Sequence, residues 1–178
     1  MAKYIYNNSN WTHFTWDDQA INAVFGELKL LQGNIISQMN LLGFSAKTEA
    51  KLGALTLDVV KSSEIEGELL NYNQVRSSIA RRLGINIAGL VESNRHIEGV
   101  VEMMLDATQR FEQKLTHKRL FGWHAALFPT GYSGPYAIEV GKYRTGEMQV
   151  VSGAMGHEKI HYEAVDAKKV KSEMTRSE

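Results

Sequence analysis

The acidic end of one predicted helix has the residue types and the spacing for an ionic contact with a partner. Ser62 precedes Glu66 by one helical turn, and Gly67 follows directly. A carboxylate in the last turn lies at the negative end of the helix macrodipole, which costs about 0.3 to 1 kcal/mol unless a cation or donor compensates. We expect the Ser62 hydroxyl to donate a hydrogen bond to Glu66 and Gly67 to let the chain turn away. This pattern predicts an acid that reaches an arginine across a cleft.

The same segment also has a simpler interpretation. Glu64, Glu66 and Glu68 alternate with other residues, and such acidic runs are commonly solvated surface patches. Six residues on their own leave both interpretations open.

A second motif is a literal match to the zinc-protease pattern H-E-x-x-H, at residues 157–161. That chemistry needs a helix, which brings both histidines to one face. Glycines precede the motif, and apolar residues alternate from Ile160 to Ala164, which is typical of a strand. On a strand, positions four apart are about 13 Å apart, too far for one ion. We therefore expect no metal site and no metalloprotease here.

Two further groups of polar residues have ordinary structural interpretations. His124 lies among apolar helix positions, which favours a partly buried, hydrogen-bonded core histidine over a catalytic base. Arg76, Arg81 and Arg82 are expected to form a solvated helix flank rather than a phosphate site.

The overall composition restricts the class of protein. The 178 residues are 43% hydrophobic, and 20 basic residues balance 20 acidic ones. That balance gives no field that would attract nucleic acid or an anionic membrane. No cysteine is present, residues 1–20 lack the apolar run of a signal peptide, and no stretch is apolar enough for a membrane span. We expect a cytoplasmic protein with one core and neither a nucleic-acid nor a membrane partner.

The helices that position the acidic motif are predicted from periodicity and capping residues. Thr15 and Asp18 approximate a capping box for a six-turn helix that ends near Gly43. One stripe of that helix is apolar: Ile21, Val24, Phe25, Leu28, Leu31, Ile35, Met39 and Leu42. Ser45 is expected to cap a second helix that ends at Gly67.

Three more helices and a β-hairpin complete the prediction. The helices are expected from Asn71 to Leu83, from about Glu92 to Phe111 and from about Thr116 to Leu127. Beyond Pro129 the apolar period changes to two, which predicts a hairpin with a third extended piece over about residues 136–164. The predicted extended segments are Tyr136 to Val140, Met148 to Val150 after the turn-like Thr145-Gly146, and Ile160 to Ala164, with Tyr143 and Arg144 at the hairpin turn. An aromatic arm, which we expect to pack on the body, precedes the first helix, and a charged tail that begins a helix follows at residues 167–178. The fold class is mainly α with a small β-hairpin flap.

These segments resemble, in order, the N-terminal part of Fic-family protein adenylyltransferases over residues 3–165. Ser62-x-x-x-Glu66-Gly67 resembles the self-inhibition motif of that family. Leu120-Phe121-Gly122-Trp123-His124 and Leu127-Phe128-Pro129-Thr130-Gly131 resemble its core helix and the loop ahead of its flap. Gly141-Lys142-Tyr143-Arg144, with Val150-Val151-Ser152-Gly153, resembles the flap itself.

The resemblance implies a function for each segment. Glu66, supported by Ser62 and Gly67, would be the inhibitory glutamate, which in the family pairs with an arginine of the active-site helix. Target docking would use Tyr143, Arg144, Gln149, Val150 and Val151 of the flap. Residues 1–70 would be the arm and inhibitory region, and residues 71–178 the first part of a Fic-like core. The complete enzyme would transfer AMP from ATP, with magnesium, to a hydroxyl of a protein substrate.

This chain departs from the family pattern at the catalytic motif. No Gly-Asn-Gly-Arg occurs in the 178 residues. The resemblance therefore implies an incomplete Fic-like fold without catalytic residues, inactive alone, binding neither ATP nor magnesium tightly, and prone to self-association. The alternative from a different class is a non-enzymatic interaction module that binds a peptide by strand addition at the hairpin edge.

Overall fold

The computed structural model describes residues 4–11, 13–154 and 156–176. The described residues form six α-helices and two small antiparallel sheets, so the predicted mainly helical class with a small hairpin is confirmed. Residues 1–3 and 177–178, the outer ends of the two predicted divisions, lie outside the described residues. The helices are α1 (Asp18–Leu41), α2 (Phe44–Ile65), α3 (Tyr72–Leu83), α4 (Arg95–Gln109), α5 (His117–Leu127) and α6 (Ala167–Arg176). The strands are β1 (Tyr132–Ser133), β2 (Tyr136–Ala137), β3 (Gln149–Ser152) and β4 (Lys159–Glu163).

The hydrophobic core lies where α2, α3 and α4 meet, and α5 packs against α4. Its buried apolar side chains are Leu52, Val59, Val75, Ile79, Ala80, Ile97, Val100 and Val101. Thr56 is buried among them and donates a hydrogen bond to the Leu52 carbonyl at 2.6 Å. The core therefore joins residues on both sides of the predicted division at residue 70.

A glycine sets the distance between α4 and α5. A Cβ added at Gly99 would lie 1.8 Å from the carbonyl oxygen of Ala126. Two helix backbones approach this closely only where no side chain separates them.

Capping residues explain most helix boundaries. The Asn71 side chain accepts from the Gln74 amide, and Gly84 ends α3 in the left-handed conformation, so this helix was predicted correctly. Asn94 and Thr116 cap α4 and α5 in the same way. Helix α4 is shorter than the predicted range of about Glu92 to Phe111, because it begins after the cap residue Asn94 and ends at Gln109.

Two predicted caps are wrong. At the start of α1, Asp17 accepts hydrogen bonds from the amides of Gln19 and Ala20, so the box from Thr15 to Asp18 does not form. At the start of α2, the cap is Gly43 without a side-chain bond, and Ser45 lies inside the helix. Only Leu42 and Gly43 connect α1 to α2, so α2 begins before the serine.

Helix α1 forms as predicted, but its apolar stripe is exposed to solvent. None of the described residues of α1 is buried. Within the described part of the chain, no helix is both long enough and apolar enough to cross a membrane.

The hairpin forms from different strands than predicted. β3 pairs antiparallel with β4, with Val150 opposite Tyr162, Ser152 opposite Lys159 and an irregularity between Val150 and Val151. The predicted strand through Ile138 and Val140 is wrong. Only Tyr136 and Ala137 pair, with Ser133 and Tyr132, and the Ile138 amide donates to the Gly131 carbonyl at 2.9 Å. Apolar residues alternate over residues 136–140, but most of this segment forms a tight loop rather than a strand.

The first part of the aromatic arm packs against the hairpin. The Tyr6 hydroxyl donates to the Glu163 carbonyl at 2.6 Å, and the rings of Tyr4 and Tyr6 contact Tyr162 with centroids 5.1 and 6.3 Å apart. The prediction that the arm packs on the body is confirmed here. Phe14 and Trp16 are about two-thirds exposed and do not share in it.

Candidate functional site

The C-terminal end of α2 presents Glu66 on a rigid support. Leu52, Thr56 and Val59 of α2 are fully or almost fully buried, which anchors the helix against α3 and α4. Glu66 is the C-cap residue, and Gly67 follows with φ +83°, a conformation that favours glycine. The predicted stop at Gly67 is confirmed, and the Glu66 side chain is exposed at the end of an anchored helix.

The three acids of this segment differ in their partners. Glu64 pairs with Lys61 at 2.5 Å, and Glu68 pairs with His96 of α4 at 3.2 Å. For Glu66, the described part of the chain supplies no ion-pair partner. Of the three acids, Glu66 is therefore the one without an ion-pair partner among the described residues.

The predicted contact within the motif does not form. Among the described residues, no hydrogen bond joins the Ser62 hydroxyl to the Glu66 carboxylate. The helix ends at Ile65, and the Glu66 amide bonds to the Ser63 carbonyl at 3.1 Å, in a tightened last turn. That turn rotates Glu66 away from the position one regular turn beyond Ser62.

Tyr143 and Arg144 do not lie at the hairpin turn, which corrects the predicted flap. The Tyr143 hydroxyl lies 2.5 Å from Nδ1 of His117, and its ring meets Phe121 edge-on with centroids 4.9 Å apart. Arg144 donates to the carbonyls of Gly146, at 2.7 Å, and Val165. Both residues attach the hairpin to α5 and to the segment before α6, and the turn lies between Ser152 and Lys159.

The other predicted docking residues lie on β3. Gln149, Val150 and Val151 are exposed there. Because the Ala164 amide donates to the Met148 carbonyl, the next pair, Gln149 and Glu163, is a non-hydrogen-bonded pair whose backbone groups point away from the partner strand. The Tyr6 hydroxyl donates a hydrogen bond to the carbonyl of Glu163, which points away from β3. The outer edge of β3 is thus the side of the hairpin that the arm leaves open.

An arginine cluster that was expected to be a solvated flank is instead bonded to acids and carbonyls. Arg81 and Arg82 of α3 pair with Glu98 of α4 at 3.1 and 3.3 Å, and Arg81 also donates to Ser93 and to the Val91 carbonyl. Partial burial raises the pKa of Glu98, but hydrogen bonds from Ser93 and Arg81 outweigh it, so its pKa is lowered. This cluster fixes the loop between α3 and α4.

A second polar cluster, between α4 and α5, has no signal in the sequence. Arg119 Nε and Trp123 Nε1 donate to one oxygen of Asp106 at 2.7 and 2.8 Å. The hydrogen bond from Arg119 holds the pKa of Asp106 below its ordinary value. These residues line an open cleft of about 560 Å³. Arg119 and Trp123 lie 13 and 17 positions from Asp106 in the chain, so the sequence does not show these contacts until the two helices are placed.

His124 and His161 have structural partners. His124 is partly buried and its Nδ1 accepts from the Gly141 amide at 3.2 Å, as predicted for a core histidine. His161 lies on β4 with Nε2 2.6 Å from the Ser152 hydroxyl, and His157 lies in the turn, so H-E-x-x-H is not helical. In the described ranges, no three His, Asp or Glu side chains are grouped to hold a metal ion.

Comparison with known proteins adds one match. Residues 4–85, which comprise the arm, α1, α2 and α3, match the domain of unknown function DUF4172. No curated protein matches the chain. The matched segment includes Ser62, Glu66 and Gly67 and ends before the hairpin.

Proposed function

We propose that this chain is the N-terminal part of a Fic-type protein adenylyltransferase, in which Glu66 restrains the active site. The observation that carries the proposal is the position of Glu66: an exposed carboxylate without a described cation partner, at the end of an anchored helix, between two acids that are already paired. A carboxylate so placed gains most from an arginine, because the guanidinium forms charge-assisted hydrogen bonds and offsets the helix dipole.

The inhibitory role follows from what that contact would exclude. In the family that the sequence resembles, the arginine paired with this glutamate otherwise holds ATP phosphate. A Glu66 carboxylate in its place prevents the γ-phosphate from adopting the reactive pose. ATP and magnesium would bind to the complete enzyme, in the cytoplasm, and only weakly to residues 1–178, which lack the phosphate-binding motif.

Target docking in this proposal uses the outer edge of β3. Its unpaired backbone groups suit the addition of an extended target segment, with Val150 and Val151 beside it. Tyr143 and Arg144 act as positioning residues, because their contacts to His117 and Val165 hold the hairpin against the body. The substrate is therefore a protein with a hydroxyl on an extended segment.

The test is transfer of label from ATP labelled at the α-phosphate, in a form extended at its C-terminus to include the family's active-site helix. We expect Glu66→Gly to raise transfer about 10- to 100-fold, since a hydrogen bond to a charged group contributes about 1.5 to 3 kcal/mol. Glu64→Gly is the matched control, because Glu64 pairs with Lys61 and should leave transfer unchanged. Equal effects of the two substitutions would refute the inhibitory role, and no transfer by either would refute the enzyme class.

The exposed β3 edge also favours a second candidate, a peptide-binding module without catalysis. In that case residues 1–178 alone should bind extended peptides, and Val151→Pro should abolish binding, because proline removes a backbone donor and distorts the strand. Peptide binding with no AMP transfer by the extended form would favour this candidate over the enzyme.

A further inference from the structure

The exposed stripe of α1 is an apolar feature that the proposed function does not use. Seven of its members are each 40 to 67% exposed: Ile21, Val24, Phe25, Leu28, Leu31, Ile35 and Leu42. By contrast, α2 buries Leu52 and Val59 completely or nearly so. A helix of 24 residues is stable in water mainly when its apolar face is packed.

The spacing of the stripe identifies the kind of partner. Ile21, Leu28, Ile35 and Leu42 recur every seven residues, and Val24 and Leu31 stand three residues after the first two. This is the a and d pattern of a heptad repeat, which is typical of a helix that packs against another helix with the same seam.

We propose that α1 pairs antiparallel with α1 of a second copy of this chain. In an antiparallel seam, a positions face d positions. Leu28 then faces Leu31 of the other copy, Val24 faces Ile35, and Ile21 faces Gln38. The arrangement is isologous, so each contact forms twice about a twofold axis.

Charge favours a second copy in this orientation. Between Gln19 and Leu42, Glu27 and Lys29 are the charged residues, so α1 offers little to a strongly charged partner. In the antiparallel register Glu27 lies near Asn34 of the other copy, and no like charges face each other. A parallel pair would instead bring the Asp17 and Asp18 residues of both copies together and align the two helix dipoles.

The area is sufficient for a reversible dimer. A fully covered apolar side chain removes about 60 to 120 Å² from water, as about 1.5 to 3 kcal/mol at about 25 cal/mol/Å² implies. Because these side chains are 40 to 67% exposed, seven of them from each of two copies would cover about 500 to 900 Å². That is the size of a weak, transient interface, so we expect a weak dimer that dissociates on dilution.

Sedimentation equilibrium over about 1 to 100 μM tests the proposal on the 178-residue chain. We expect the mass to rise from 20.0 kDa towards twice that value. Leu28→Glu and Leu31→Lys should each weaken self-association by at least about 10-fold. Mixing the two variants should restore a dimer, because residue 28 of one copy faces residue 31 of the other.

Leu30→Glu is the matched control, since Leu30 is a leucine of the same helix, 67% exposed, on the face opposite the seam. It should leave the dissociation constant unchanged, and circular dichroism should show that all three variants retain helix. A monomer throughout the range, or an equal effect of Leu30→Glu, overturns the α1 seam. Failure of the mixed variants to restore the dimer overturns the antiparallel register.

Discussion

Asp106 shows how one side chain can tie two helices together at the residue scale. It lies on α4, is 22% exposed, and accepts from Arg119 and Trp123 of α5. The Arg119 side chain is itself 13% exposed, and its guanidinium also donates to the Asp106 and Arg110 carbonyls. The cluster therefore depends on a negative charge at Asp106, and its strength should depend on pH.

We predict that acidification lowers the free energy of unfolding partly through protonation of Asp106. Because its pKa is lowered in the folded state, its stabilising contribution is present above the unfolded value of about 3.8 and is lost as the pH falls through the folded pKa. Asp106→Asn should cost about 1.5 to 3 kcal/mol at neutral pH. The variant should also show a smaller decline of the urea midpoint between about pH 5 and pH 3 than the wild type.

Glu112→Gln is the control, as Glu112 is exposed in the loop after α4. It should change neither the midpoint at neutral pH nor its acid decline. Parallel acid declines for the wild type and Asp106→Asn would contradict the assignment.

At the scale of elements, the contact between α4 and α5 depends on the missing side chain of Gly99. We predict that Gly99→Ala costs about 1 to 3 kcal/mol or more, because the added Cβ overlaps the Ala126 carbonyl and the helices must separate. Gly122→Ala on α5 has open space around its Cβ and should be neutral or stabilising by up to about 1 kcal/mol. Urea unfolding of both variants gives the free energy of unfolding for a position where a Cβ clashes and for one where it has space.

The elements were predictable from sequence to the extent that their signals are local. Asn71 and Gly84 mark both ends of α3 through backbone contacts within a few residues, and both were predicted correctly. The Tyr136–Val140 alternation has the same period as a strand, but strand pairing depends on the approach of a distant segment. Partners such as Asp106 and Arg119, and the pairing of Glu64 and Glu68 around Glu66, depend on helix packing and had no local signal.

At the scale of the whole molecule, stability is unevenly distributed. The core lies in α2, α3 and α4, whereas α1 contributes no buried residue in the described chain. We predict that Leu52→Ala costs about 2 to 5 kcal/mol, since it empties a fully buried site. Leu30→Ala should change stability by less than about 0.5 kcal/mol. Urea unfolding at a concentration well below the dimer range would measure both, and equal costs would contradict this distribution.

The contact between Tyr6 and Glu163 spans 157 positions of the chain, and this separation has a consequence for folding order. Helices α2 to α5 meet neighbours that are close in sequence, so they can assemble early, whereas closing the long loop between the arm and β4 costs conformational entropy. During synthesis, the arm has no hairpin to bind until residue 163 has left the ribosome. Docking of the arm should thus be a late step, and a bulky group fused before Tyr4 should slow completion of the hairpin without delaying the helical core.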